Sequence, residues 1–331
     1  MVISRTKYDI SHSDIRRIFA HAGIGSVSSI RVLGAGEFNS VFAVEAEENT
    51  YVLKVGTRDK AVQIYEKNMM KSELHWYQVM REQTDIRIPR IFFSDFTKEL
   101  VPTYYFIMEY IPGIQKDDPA LTPAQRDAFD AEIARMVAKL HRIRGEKFGY
   151  LQSGLHDTWD QALTRIVENL MEDARRVNQP LPRGSQLLRL IDRYRDVLRK
   201  APCRLISFDA WDGNFICVSN DLDRPEIVWI DPERCLWGDP LMDFVSLDAG
   251  RWKLAEKGDI LAAYNELAEF PISGTREEEI RYAIGLCYLG VIMDCEKHYR
   301  YSPELPHWQT SIDLSDMFFG LGLSMLESQA F

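Results

Sequence analysis

The chain has 331 residues, 46% of them hydrophobic, enough to bury one large domain or two lobes, and no bias in composition points to a collagen-like, disordered or disulfide-scaffold protein. Its net charge of −10 argues against nucleic acid as a partner and leaves room for cationic or metal-bound ligands. The cysteines (Cys203, Cys217, Cys235, Cys287 and Cys295) are odd in number and form no C-x-x-C pair, which fits reduced thiols in a cytoplasmic protein better than a disulfide framework or a zinc site.

The N-terminal stretch has no apolar signal region. Strands are predicted within residues 29–56, where "SIRVLGAG", "SVFAVEAEE" and "TYVLKVG" are rich in β-branched and aromatic residues. A helix is predicted from about Lys60 to Gln83, followed by strands in "IPRIFFSDF" and "TYYFIMEYI". The segment "IPGIQKDDPA" is a break, and Thr122 with Pro123 then starts a helix. The remainder reads as helical, with helices near 252–268, 276–298 and 308–327 and one hairpin, "NFICV" to "EIVWIDPE". The run Ala283 to Met293 is too short to span a bilayer and is predicted to be a buried helix, so no membrane partner is expected. This segregation of strands and helices predicts an α+β fold with two lobes, 1–111 and 112–331, the second carrying a helical insertion at about 155–200.

Gly34 and Gly36 lie between two strands. A dinucleotide fingerprint would need a third glycine at 39 and a helix after it; position 39 is Asn39, and Ser40 opens a strand. The pair fits an ordinary hairpin turn or a loop whose backbone N–H groups cover nucleotide phosphates. Lys54 stands among apolar strand residues, where its stem either reaches solvent or meets a buried anion. On a 3.6-residue period Glu73 falls in the stripe of Val62, Tyr65, Met69, Trp76 and Met80, and an inward carboxylate needs a cation. Lys54 is the natural candidate.

Asp209 and Asn214 have four residues between them, the spacing of a base and a metal-holding amide in phosphoryl transfer. The spacing is not specific: Asp173 and Asn178 share it and read as a solvated helix face. The Asp209 copy precedes the hairpin that ends in Asp231, so strand geometry can return Asp231 beside Asn214 as a Mg²⁺ site. Asp212, Glu233 and Trp308, with Trp211 and Trp237, are candidates for contact with an acceptor, cationic ones included, or else packing and solvated surface.

These residues together resemble the aminoglycoside phosphotransferase family, which includes the choline-kinase-like and fructosamine-kinase-like enzymes. The resemblance runs from about Val32 to at least Leu247, through "GAGEFNSVF", Lys54, Glu73, "FIMEYIPG", "KLHRI", "FDAWDGN", "IDPE" and "WGDPLMDF". It implies a protein-kinase-like fold and an ATP- and Mg²⁺-dependent transfer to a hydroxyl of a small molecule, with GTP as an alternative donor. Adenine would lie against backbone groups of Glu109 and Ile111; His141 and Asp243 would be structural supports. The sequence departs from the family at Ser207-Phe208-Asp209, where His-Gly-Asp is usual. That departure keeps a second expectation open, a weak or inactive nucleotide-binding homologue that acts as a scaffold.

Overall fold

A computed structural model of the chain describes residues 4–33, 38–57, 62–247 and 251–328. No pattern above assigns an element to residues 12–21; the structure has a helix there, α1 (His12–His21), started by the Ser11 side chain, which accepts from the Asp14 N–H. Five antiparallel strands follow in the spatial order β1-β2-β3-β5-β4: β1 (Val27–Val32), β2 (Ser40–Ala46), β3 (Asn49–Val55), β4 (Ile91–Asp95) and β5 (Tyr105–Glu109). Alternation along β3 sends Leu53 and Val55 to the face that packs Ile15, Ile18 and Phe19 of α1. Val52 turns to the opposite face, against Met70 of helix α2 (Met69–Gln83), and Lys54 shares its parity.

The predicted helix from Lys60 loses its first turns. Residues 62–63 are irregular and 64–68 form turns instead, because side chains of the second lobe draw them down: the Ile64 N–H donates to Asp173 at 2.9 Å, Gln63 bonds Cys295, and Arg300 pairs with Glu66 at 3.1 Å. Asp173 is therefore fully buried rather than a solvated helix residue, and it anchors this segment.

The rest of the chain is mainly helical: α3 (Pro123–Leu140), α4 (Trp159–Arg176), α5 (Pro182–Arg193), α6 (Arg195–Leu198), α7 (Gly258–Leu267), α8 (Arg276–Arg300) and α9 (Pro306–Ser328). Thr122 caps α3 in a reciprocal capping box with Gln125. The apolar run 283–293 lies inside α8 and is largely buried, and no described helix is long and apolar enough to cross a membrane. Two short ladders interrupt the helices: β6 (Arg204–Ile206) with β9 (Leu236–Gly238), and the predicted hairpin β7 (Phe215–Cys217) with β8 (Ile227–Trp229). The cysteines are all free, and four of them are buried.

Among the links between the β-rich and helical regions, beside residues 62–68, are two more stretches of chain. On one side the chain after β5 runs along β7, where Ile114 and Cys217 exchange both backbone hydrogen bonds, at 3.0 and 2.8 Å. A Cβ on Gly113 would stand 2.2 Å from the Cys217 carbonyl oxygen, a backbone atom that cannot swing away. Gly113→Ala is expected to destabilise the chain by about 1–3 kcal/mol, read as a lower urea midpoint at unchanged slope. On the other side residues 5–8 cross from one region to the other. The Arg5 N–H donates to the Arg300 carbonyl at 2.9 Å and its guanidinium to Ser302 at 2.7 Å, while Thr6 donates to the Phe38 carbonyl at 3.3 Å and Ser40 to the Tyr8 carbonyl at 2.8 Å.

Candidate active site

Lys54, 2% exposed, reaches the face of β3 that carries α2 and meets Glu73 at 2.9 Å. The same ammonium lies 2.5 Å from Asp231 and 2.9 Å from Glu233. Asn39, four residues before Ala43 on β2, donates from its side chain to Glu233 at 2.7 Å. One cation thus faces three carboxylates. Burial opposes the Lys54 charge, but Asp231, Glu233 and Glu73 outweigh it and hold the ammonium well above its ordinary pKa. Burial also pushes the Glu73 and Glu233 carboxyls up, helped by Asp231 and only partly offset by Lys54.

Asp231 owes its direction to the backbone. Its φ is +61°, in the left-handed region, and its N–H is held at 2.9 Å by the Tyr77 hydroxyl of α2. The hairpin β7–β8 delivers it beside Asn214, since the Ile230 N–H donates to the Asn214 carbonyl at 2.9 Å. Asn214 ends a 3₁₀ turn, Asp212–Asn214, and donates from its amide to the Asp209 carbonyl at 2.9 Å and the Asp209 carboxylate at 3.1 Å. Burial raises the Asp209 pKa to about 6; Arg234 opposes the rise and Glu233 adds to it.

The usual histidine is missing at Ser207, and the loop is supported from below. Asp243, fully buried, accepts from the Ser207 N–H at 3.0 Å and the Phe208 N–H at 2.5 Å. His141 at the end of α3 bonds Asp243 at 2.9 Å and the Tyr264 hydroxyl at 2.9 Å. Phe208 has φ +52°, a conformation that favours glycine. Its N–H bond to Asp243 and its ring contact with Tyr288 at 4.9 Å hold it there.

The structure therefore brings Asn39, Lys54, Glu73, Asp209, Asn214, Asp231 and Glu233 together. Glu233 is turned inward to Lys54 and Asn39. Asp212 faces Lys116 at 3.4 Å, so its charge is compensated. Trp308 packs on α8, with ring centroids 5.0 Å from His298, and Trp237 packs against Trp76. The Ser40 hydroxyl is taken by Tyr8. Glu109 donates its N–H to the Arg90 carbonyl at 2.8 Å, and Ile111 lies buried two residues on. Gly34 and Gly36 lie outside the described residues. Sequence reasoning missed Arg234, which donates to Glu296 at 2.6 Å and is the main cation facing Asp209. The signal available was an arginine directly after "DPE" in an otherwise apolar stretch.

Three of these carboxylates, Glu73, Asp231 and Glu233, place oxygens within 4.8 Å of one another. They form an all-oxygen donor set with more negative charge than Lys54 neutralises, which suits a hard divalent cation.

The fold is shared with solved phosphotransferases. A candidate fructosamine-3-kinase from Haemophilus somnus 129PT superposes with a TM-score of 0.64 at 16% identity, over 92% of this chain and 96% of that one. A microcompartment-associated aminopropanol kinase gives 0.60 at 19% identity, over 95% and 98%. A thermostable mutant of the aminoglycoside phosphotransferase APH(4)-Ia, in ternary complex with AMP-PNP and hygromycin B, gives 0.61 at 16% identity, over 96% and 99%. The fold is thus the two-lobed, kinase-like α+β arrangement that the sequence resemblance implies. A comparison with curated protein sequences finds no match. The sequence pattern of the phosphotransferase enzyme family matches residues 29–278, three quarters of the chain, and the chain belongs to that family.

Proposed function

We propose that the protein is an ATP- and Mg²⁺-dependent kinase that transfers the γ-phosphate to a hydroxyl of an amino sugar, amino alcohol or related small metabolite. GTP is the alternative donor. In this reading residues 1–111 form the nucleotide lobe and 112–331 the catalytic and acceptor lobe, with 155–200 as a helical insertion, in a cytoplasmic protein. The observation that carries it is Asp209, half-buried and bonded to Asn214, with a neighbour, Glu233, that bonds Lys54 of the Lys54–Glu73 pair.

Asp209 takes the proton of the acceptor hydroxyl as that oxygen bonds to the γ-phosphorus and ADP departs. A carboxyl with a pKa of about 6 suits this, being ionised at neutral pH yet more basic than an ordinary aspartate. Lys54, oriented by Glu73, pairs with the α- and β-phosphates, and the backbone of Glu109 and Ile111 holds the base. Asn214 and Asp231, joined by Glu233, are the residues that would hold Mg²⁺. When bound, the ion supplies neutralisation of phosphate charge. Trp211, 48% exposed and two residues after Asp209, is the aromatic surface left for an acceptor.

The scaffold reading drew on Ser207 and Phe208. Against it stands Asp243, which holds both N–H groups of that stretch without the histidine. The test is ADP release by purified protein with ATP and Mg²⁺ across amino sugars, choline, ethanolamine, homoserine and ketosamines. Acceptor-dependent release above the ATPase background is expected for one class. Nucleotide binding with no release for any hydroxyl compound would favour the scaffold.

A further inference from the structure

The 3₁₀ turn that presents Asn214 is three residues long, too short to fix its own geometry. Its outward groups are gripped by two consecutive residues of the chain that follows β5. Gln115 donates from its amide to the Gly213 carbonyl at 2.7 Å, and Lys116 lies 3.4 Å from the Asp212 carboxylate. Lys116 is itself buried and paired with Asp130 of α3, and Arg126 bonds the Lys116 carbonyl at 3.3 Å and the Asp118 carbonyl at 3.1 Å. The Ile114–Cys217 bridge fixes the same stretch to the strand leaving Asn214. The grip thus has footings on α3 and on β7, and the turn sits between them.

We propose that Gln115 and Lys116 are positioning residues, which hold the Asn214 turn and so set the Asn214 amide against Asp209. The inference rests on the reading of Asn214 as a metal-holding group only for its catalytic consequence; the mechanical part stands on the contacts alone. It also joins two duties of the enzyme. The stretch that holds the turn continues directly from Glu109 and Ile111, so the segment proposed to seat the base is in register with the catalytic loop.

Gln115 is exposed apart from this bond, so Gln115→Ala removes the grip without opening a core. Hydrogen exchange on the full, nucleotide-free chain is expected to become about five- to tenfold faster in 209–217, the factor that one lost hydrogen bond is worth, with 204–206 and 236–238 unchanged. Adding Asp212→Asn, which weakens the Lys116 contact, is expected to increase the effect. Titration with AMP-PNP, with and without MgCl₂, gives the second readout: Mg²⁺-free affinity stays within about twofold, and the gain on adding Mg²⁺ shrinks severalfold. Unchanged exchange in 209–217, or equal acceleration across the whole chain, overturns the proposal. Faster exchange in the variant together with no ADP release by the wild type would leave the grip standing and remove the kinase reading instead.

Discussion

Asp209→Asn is expected to lower kcat by about 10²–10⁴-fold, the usual contribution of a positioned general base. The substitution keeps the shape of the side chain and an oxygen that can accept from Asn214, so nucleotide affinity should hold. In the wild type kcat/KM should rise with pH through about 6, because only the ionised Asp209 can take the proton. The same variant should be more stable at alkaline pH. A carboxyl whose pKa is raised in the folded state favours folding below its ordinary value and loses that contribution as pH rises through the folded value. From 3.8 to about 6, this leaves the ionised wild type carrying a penalty on the order of 2–3 kcal/mol at pH 8, which asparagine lacks, and none at pH 3.5. Urea unfolding at the two pH values, beside steady-state kinetics, checks both halves. Full turnover in the variant would remove Asp209 from the role of base.

Lys54→Met is expected to cost about 3–5 kcal/mol of stability at pH 7.5, since it strips the cation from three carboxylates and leaves Glu73 buried without it. A drop of about 10²–10³ in kcat should accompany it, the scale of losing one preorganised electrostatic partner. The pH dependence identifies the cause. The Glu73 and Glu233 carboxyls are already raised by burial, and loss of Lys54 raises them further. Protonation then relieves the variant as pH falls, so its deficit against the wild type should narrow from pH 7.5 to pH 5 in urea titrations. A deficit that stays constant with pH would mean lost packing of the lysine stem, and not unpaired charge, is what the variant suffers.

The parts of the site legible in the sequence were those with a local signature. Glu73 stood out because helical periodicity put a carboxylate on an apolar stripe, and Lys54 because it is a cation among apolar strand residues. Asp209, Asn214 and Asp231 were marked by one hairpin. What stayed hidden depends on backbone angles or distant partners. Glu233 reads as a free acid two residues past Asp231, and only the left-handed Asp231 turns it back to Lys54. Its second partner, Asn39, is 194 residues away. Residues 62–68 carry a helical pattern, yet Asp173, Cys295 and Arg300, all more than 100 residues away, bind them in another conformation. Trp308 shows a contact that its sequence position did not announce, an edge-on packing against His298 of α8.

The segment 5–8 has a kinetic consequence. Opposite the covalent connection at 112–118, it ties the loop around Phe38 and Ser40 to the end of α8 through a handful of hydrogen bonds. It is a clasp of weak bonds, one fastening between the lobes beside the contacts of residues 62–68 and of Lys54. Such a clasp lets go by local opening, at a free energy well below that of global unfolding. Amide exchange at residues 5–8 is then expected to run ahead of exchange in the cores of the two lobes, which the loss of these few bonds leaves intact.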